Sequence, residues 1–207
     1  MSDEIGLFEA IYTQRAIRHL KPDPVPEETI RKLIEAATKA PSGANQQTWK
    51  FIVIRDPELK RRIGGYYLQS WENTYGSGAA TPPRIQSRVR TSAAYLAEHM
   101  HEAPVLIMAC LEHDGSSSTM SRGSSIYPAV QNILLAARGL GLGSVITTLH
   151  KRYEDEIKEL LGIPGNVESA ALLPVGHPTD DVGYGPTRRA PVEDVTFWDR
   201  WGTSGKP

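Results

Sequence analysis

Arg15 and Arg18 stand near the start of a 207-residue chain, and Arg188 and Arg189 near its end. A guanidinium is a fixed fork of donors at constant charge, which suits the paired oxygens of a phosphate. Solvated surface arginines give the same pattern, and without further context they are the commoner reading. Between the two pairs lies Pro41-Ser42-Gly43-Ala44-Asn45-Gln46-Gln47-Thr48-Trp49, a small and flexible stretch that leads into consecutive amides and an aromatic. Asn and Gln each offer a donor and an acceptor, matching the alternating edge of a heterocycle such as a pyrimidinedione. A capped loop with exposed amides accounts for the composition equally well.

The third candidate is Gly139-Leu140-Gly141-Leu142-Gly143-Ser144-Val145-Ile146-Thr147-Thr148-Leu149. Its glycines follow a helical pattern and precede an extended one, whereas a dinucleotide-binding fingerprint follows a strand and opens a helix, so that reading is rejected. The glycines instead end the helix and let a flat ligand approach the backbone, with Thr147 and Thr148 presenting amides and hydroxyls to it. Other machinery is missing. The six histidines are scattered, and His99-Met100-His101 lacks the partner spacing of a metal site. No nucleophile elbow, phosphate loop or paired-carboxylate motif is present, so chemistry here is borrowed from a cofactor. No catalytic side chain is named. Tyr127 is a candidate for shaping a pocket, against the plainer role of an aromatic packed at a helix start.

The elements that must position these groups follow from periodicity and breakers. Ile5, Phe8 and Ile11-Tyr12 predict a short amphipathic helix from Glu4 to Thr13 that delivers Gln14-Arg15-Ala16-Ile17-Arg18 to a turn. Prolines at 22, 24 and 26 exclude helix there, and Glu27-Glu28 open a helix over 27–40 with Ile30, Leu33, Ile34 and Ala37 inward. Trp49–Ile54 is a strand, Leu59 to about Ser70 a helix, and Thr74–Pro83 an irregular excursion. Ala103–Leu111 is a second strand, followed by a loop over 113–123 that contains Gly115-Ser-Ser-Ser118. Tyr127–Leu140 is a helix with apolar residues nearly all round, as in a central or interfacial helix. Ser144–Leu149 is extended, Tyr153–Leu161 helical and Ala170–Gly176 a strand. The order defines a mixed α/β or α+β domain, 1–207 as one unit. The polar, proline-rich tail ends in Phe197-Trp198 and Trp201, aromatics that suggest an arm packed on a second subunit.

Composition bounds the partners. Lysine and arginine number 23 against 24 acidic residues, so no global field draws nucleic acid or an anionic membrane. The single cysteine, Cys110, sits in the apolar run 105–111 and reads as a buried structural thiol. The N-terminal residues lack signal-peptide features, and no apolar run nears the roughly 20 residues that span a bilayer, so a cytoplasmic location is expected.

In order along the chain, Gln14-Arg-Ala-Ile-Arg18 resembles the Arg-Arg-Ser-x-Arg signature of the nitroreductase-like flavoproteins. Ala40-Pro-Ser-Gly-Ala-Asn-Gln-Gln-Thr-Trp49 is similar to their Ala-Pro-Ser-x-x-Asn-x-Gln-Pro-Trp loop, and Gly141-Leu-Gly-Ser144 to their Gly-Leu-Gly-Ser turn. Leu173-Pro-Val-Gly-His-Pro178 resembles their Gly-Tyr-Pro strand end, and Arg188-Arg189 their downstream basic pair. The resemblance spans nearly the whole chain. It implies an α+β fold with a central, mostly antiparallel sheet flanked by helices, and a homodimer holding FMN at its interface. The C-terminal arm 180–207 would cross to the partner, and 66–102 would be a substrate lid with Tyr66, Tyr67, Trp71 and Tyr75 as stacking surfaces.

Carried over by position, the resemblance places Arg15 and Arg188 or Arg189 on the FMN phosphate, with Ala16 beside them. Arg18 approaches the pyrimidine end, where a cation stabilises the anionic reduced flavin. Pro41, Ser42, Gly43 and Asn45 come from the other subunit with Gln47 nearby, and the backbone at Thr147 and Thr148 faces flavin N5. The implied activity is hydride transfer from NAD(P)H as co-substrate, through N5, to a nitroaromatic, quinone or similar small acceptor. Gln14 and Ala16 depart from the signature and remove one charge and one hydroxyl, which bears on FMN affinity. Thr48 replaces a proline, and Thr147-Thr148 stand where glycines are usual, which narrows the pocket. Two further readings stand beside the reductase: a flavin-fragmenting or dehalogenating relative, and an FMN-storage protein without enzyme activity.

Overall fold

The computed structural model describes residues 5–76, 87–115 and 120–203. Four strands form one antiparallel sheet in the order β1-β2-β4-β3, with β1 Trp49–Ile54, β2 Val105–Glu112, β3 Gly143–Ser144 and β4 Val167–Gly176. Strand β2 lies inside the sheet and is buried along seven of its eight residues. Its side chains alternate between two cores. Val105, Ile107, Ala109 and Leu111 face one layer, and Leu106, Met108 and Cys110 the other. A strand covered on both faces has no polar side to show, so it reads as an unbroken apolar run.

The first layer holds α2 Glu27–Ala37 and α5 Met120–Gly139, which bury Ile30, Leu33, Ile126, Ala129 and Ile133 against the sheet. The second holds α3 Pro57–Tyr75, α4 Ser87–His99 and α6 Glu154–Leu161, contributing Ile63, Tyr67, Leu96 and Ile157. The first helix, α1 Leu7–Thr13, is different. It buries only Ala10 and leaves Leu7, Phe8, Ile11 and Tyr12 exposed, Phe8 by 66%. It touches α5, but among the described residues Leu7, Phe8, Ile11 and Tyr12 stay largely uncovered.

Two ends explain themselves chemically. Asp56 caps α3 by accepting the Leu59 amide at 2.8 Å, and Pro57 follows at the first turn, where a missing N–H costs nothing. Helix α5 ends as a Schellman motif: the Leu142 amide donates to the Ala137 carbonyl at 2.8 Å, while Gly141 takes φ +71°.

Several boundaries differ from expectation. Helix α3 runs on through Thr74 and Tyr75 because nothing breaks it before Gly76, whereas an irregular excursion was expected from Thr74. The remainder of that excursion, residues 77–83, lies outside the described residues, as do 116–118 of the Gly/Ser loop and the last four residues of the tail. Helix α4 within the expected lid was not anticipated. Helix α5 starts at Met120, placing Tyr127 in mid-helix, and an exposed strip through Ser124, Tyr127 and Gln131 interrupts the expected all-round burial. Residues 144–149 are extended only in part: β3 stops at Ser144, an isolated bridge joins Thr147 to Leu172, and a 3-10 turn begins at Leu149. No helix among the described residues is long and apolar enough to cross a membrane.

Candidate functional site

Residues 14–21 leave α1 as an extended segment laid along the end of the sheet. The Ile17 amide donates to the Ser144 carbonyl at 3.1 Å and the Lys21 amide to the His177 carbonyl at 2.7 Å. This close approach needs Gly143, where a Cβ would stand 2.6 Å from Ile17 Cγ2 and 2.9 Å from Leu20 Cδ2. The segment buries Ile17, leaves Arg15 and Ala16 exposed, and directs Arg18 into a cleft of about 250 Å³.

Arg18 shares that cleft with Thr147, Thr148 and the α3 aromatics Tyr67, Trp71 and Tyr75. Trp71 and Tyr75 lie against each other with centroids 4.7 Å apart. Tyr66, also expected there, instead stacks on Tyr153 at 5.4 Å. Burial draws the Arg18 guanidinium below its ordinary value, opposed by neighbouring Tyr67, yet an arginine so placed still holds its proton at neutral pH. Burial pushes the Tyr67 phenol up to about 12, so it is un-ionised at neutral pH and gives Arg18 no counter-charge. Among the described residues no carboxylate pairs with Arg15, Arg18, Arg188 or Arg189. An arginine with no carboxylate beside it, such as Arg18 with Arg15 near it, attracts an anionic ligand.

The two threonines do different work. The Thr147 amide and hydroxyl both donate to the Leu172 carbonyl, at 3.1 and 2.7 Å, and its carbonyl accepts the Leu172 amide at 3.0 Å. The Thr147 amide is therefore taken up by Leu172, contrary to expectation, and its hydroxyl lies between the Leu172 carbonyl and the Tyr67 phenol. Thr148 accepts the Lys151 amide at 3.1 Å, and among the described residues nothing accepts its own N–H. An unpartnered amide at a cleft wall is a donor waiting for a ligand acceptor.

Beneath Thr148, the 3-10 turn Leu149–Tyr153 is held by a buried polar cluster. His150 Nε2 lies 3.1 Å from Ser169 Oγ, which donates to Glu154 Oε1 at 2.8 Å, and Lys151 Nζ reaches Glu154 Oε2 at 2.5 Å. Burial pushes the Glu154 carboxyl upward, but hydrogen bonds from Lys151 and Ser169 outweigh it and hold the group below its ordinary value. Burial drives His150 down to about 4, leaving a neutral ring. Cys110 is likewise inert, its thiol pushed up to about 11 by burial.

The loop over 41–47 lies elsewhere. Ala44, Asn45 and Gln47 all take positive φ, 50°, 56° and 51°, a left-handed cluster without glycine at any of the three. Ser42 Oγ accepts the Gln47 amide at 3.0 Å, and Ser125 Oγ of α5 accepts the Gly43 amide at 3.2 Å. Gln47 also donates to Asn45 Oδ1 at 3.3 Å, while Pro41, Gly43, Asn45 and Gln47 remain exposed. Within one chain the loop borders a different cleft, so the structure does not bring it to Arg18. Tyr127 lines a third cleft of about 660 Å³, which touches Thr148 from its other side.

The tail returns to the arginines. The Gly185 amide donates to the Thr13 carbonyl at 2.9 Å, and Arg138 lies 4.1 Å from the Tyr184 ring while its Nε donates to Thr13 Oγ1 at 2.8 Å. That junction is two residues from Arg15 and three from Arg188, and both Arg188 and Arg189 are exposed. Nothing in the sequence signalled the roles of Arg138, Ser125 or Leu172, since each acts on a segment remote along the chain.

The fold and this cleft define a class: a three-layer α+β scaffold with an anion-attracting, aromatic-walled cleft at the end of its sheet. The nitroreductase family model matches residues 11–177, and the chain belongs to that family. It is 29% identical over 205 residues to iodotyrosine deiodinase of Danio rerio, covering 94% of this chain and 69% of the relative. It is 28% identical over 201 residues to an NADH dehydrogenase of Thermus thermophilus, covering 91% and 94%. The crystal structure of oxidized iodotyrosine deiodinase bound to FMN and 3-iodo-L-tyrosine superposes with a TM-score of 0.72 at 27% identity, covering 93% of this chain and all of that one.

Proposed function

We propose that this chain is an FMN-dependent oxidoreductase that passes two electrons from NAD(P)H to a nitroaromatic, quinone or similar small acceptor. The observation that carries the reading is one cleft combining Arg18, which no carboxylate pairs among the described residues, the Thr148 amide, which none of them accepts, and a wall of aromatics, on a nitroreductase scaffold. The residues present fit FMN: Arg15 with Arg188 or Arg189 would hold its phosphate, Arg18 its pyrimidine end, and the Thr148 amide its ring system. Bound there, FMN supplies hydride chemistry to a protein that lacks its own. The chain's part is to orient ligands against the α3 aromatics, limit water and keep a positive charge where reduction adds a negative one.

The functional unit is a homodimer. Within one chain the 41–47 loop and the Arg18 cleft are apart; a second copy supplies Pro41, Ser42, Gly43 and Asn45 to the site. The bare apolar face of α1 and the exposed tail aromatics, Trp201 at 92%, support the same arrangement. Such a contact removes water from surface that a lone chain leaves wet. A cytoplasmic setting fits the single buried cysteine.

Titrating dialysed protein with FMN and following flavin fluorescence tests the cofactor. Saturable quenching near one FMN per chain is expected, and no binding would remove the proposal. A second reading, reductive dehalogenation of a halophenol, is favoured by the deiodinase relatives. Halide release from 3-iodotyrosine exceeding quinone reduction under the same reductant would replace the first reading with it.

A further inference from the structure

Three rings from two remote segments form a stack beside the site. His19 and Tyr95 lie parallel, centroids 3.9 Å apart at 3°, and Tyr95 and His99 follow at 4.2 Å and 26°. The outer ring is held by Glu102, whose Oε1 is 2.9 Å from His99 Nδ1. The inner one is fixed through its backbone, where the His19 carbonyl accepts the Thr179 amide at 3.2 Å.

What the stack joins gives it meaning. His19 adjoins Arg18, and a small void separates Arg18 from Tyr95 and His99. Tyr95 and His99 belong to α4, whose opposite end supplies Val89, Arg90 and Ala93 to the Arg18 cleft. Helix α4 has a slender apolar hold, since Leu96 and Ala97 are its only residues described as buried. A helix with so small a buried stripe takes much of its placement from specific side-chain contacts. Parallel stacking on both faces of one ring, near 4 Å, is such a contact and is directional.

We propose that Tyr95 is a positioning residue for acceptor binding: clamped between His19 and His99, it fixes the α4 wall of the cleft relative to Arg18. The consequence for the acceptor rests on the reductase reading above; the effect on α4 does not. Tyr95 does not line the Arg18 cleft itself, so its loss acts on the fit of the cleft.

The test pairs steady-state kinetics with amide hydrogen exchange on the full-length, FMN-loaded protein, using a quinone with NADH or NADPH. Tyr95→Leu raises the quinone KM roughly tenfold, the scale of two lost ring contacts, with kcat within about twofold of the parent. It also speeds exchange across residues 88–99. Tyr95→Phe keeps the ring and behaves as the parent does. His99→Leu, at the outer face, gives a smaller change in the same direction and serves if Tyr95→Leu does not fold. Unchanged KM together with unchanged exchange in Tyr95→Leu overturns the proposal. So does a rise in KM accompanied by comparable losses of kcat and FMN affinity, which marks general collapse. If the parent oxidises neither nicotinamide, the reductase reading fails, while exchange across 88–99 still supports or overturns the clamp.

Discussion

At Arg15 a guanidinium stands exposed, paired with no carboxylate among the described residues, two residues from the Thr13–Gly185 junction of the tail. Arg15→Gln should weaken FMN binding about tenfold, and Arg15→Lys by less, because lysine keeps the charge but loses the two-pronged fork; fluorescence titration reads both. His150 gives a pH dependence. Its folded value near 4 lies below its ordinary 6.5, so the unfolded chain binds the extra proton between those values. The stability this neutral ring contributes is complete above about pH 6.5 and is lost as pH falls through 4, a difference of roughly 3 kcal/mol. His150→Gln should flatten that limb of a urea-unfolding series while lowering stability at neutral pH. Among single residues, side-chain type marks the arginines and amides as candidates, but it does not say that one chain gathers Arg18 with Thr147 and Thr148 and leaves the 41–47 amides at another cleft. The unlike fates of Thr147 and Thr148 were not legible, because Leu172, which engages one of them, lies in another strand.

Among the elements, the joint between β3 and the arginine segment is the most exacting. Gly143→Ala must displace Ile17 or Leu20, and with them the segment carrying Arg15 and Arg18, so both stability and FMN affinity should fall. Gly141→Ala is the control: its Cβ meets nothing within 4 Å, but φ is +71°. It should cost about 1 kcal/mol of stability and leave FMN affinity unchanged. Denaturant midpoints and FMN titrations on both variants separate the two effects. Strand β1 and the apolar run of β2 were readable because periodicity and burial agree there. Helix α4 was hidden, since residues 88–92 alternate charge and small side chains without a clear apolar stripe. The length of α3 was underestimated because its last turns carry aromatics that line a cleft, Trp71 packing on the core as well, so they do not repeat the buried stripe of its first turns.

For the whole molecule, the sheet and its two helical layers are complete within one chain, whereas the proposed FMN site draws on a second copy for the 41–47 loop. Phe8, Ile11 and Tyr12 have the spacing of an apolar helix face, yet they stay exposed, and sequence periodicity does not say what covers them. Phe8→Asp should shift the protein from dimer to monomer in sedimentation and release FMN in the same concentration range; a dimer that persists with FMN bound would place the interface elsewhere. The central claim is tested most directly by the visible absorbance of the purified protein, followed anaerobically as NADH or NADPH is added and then a nitroaromatic or quinone. The account predicts an oxidised-flavin spectrum that bleaches with the nicotinamide and recovers with the acceptor. A protein that stays colourless after incubation with FMN would contradict it.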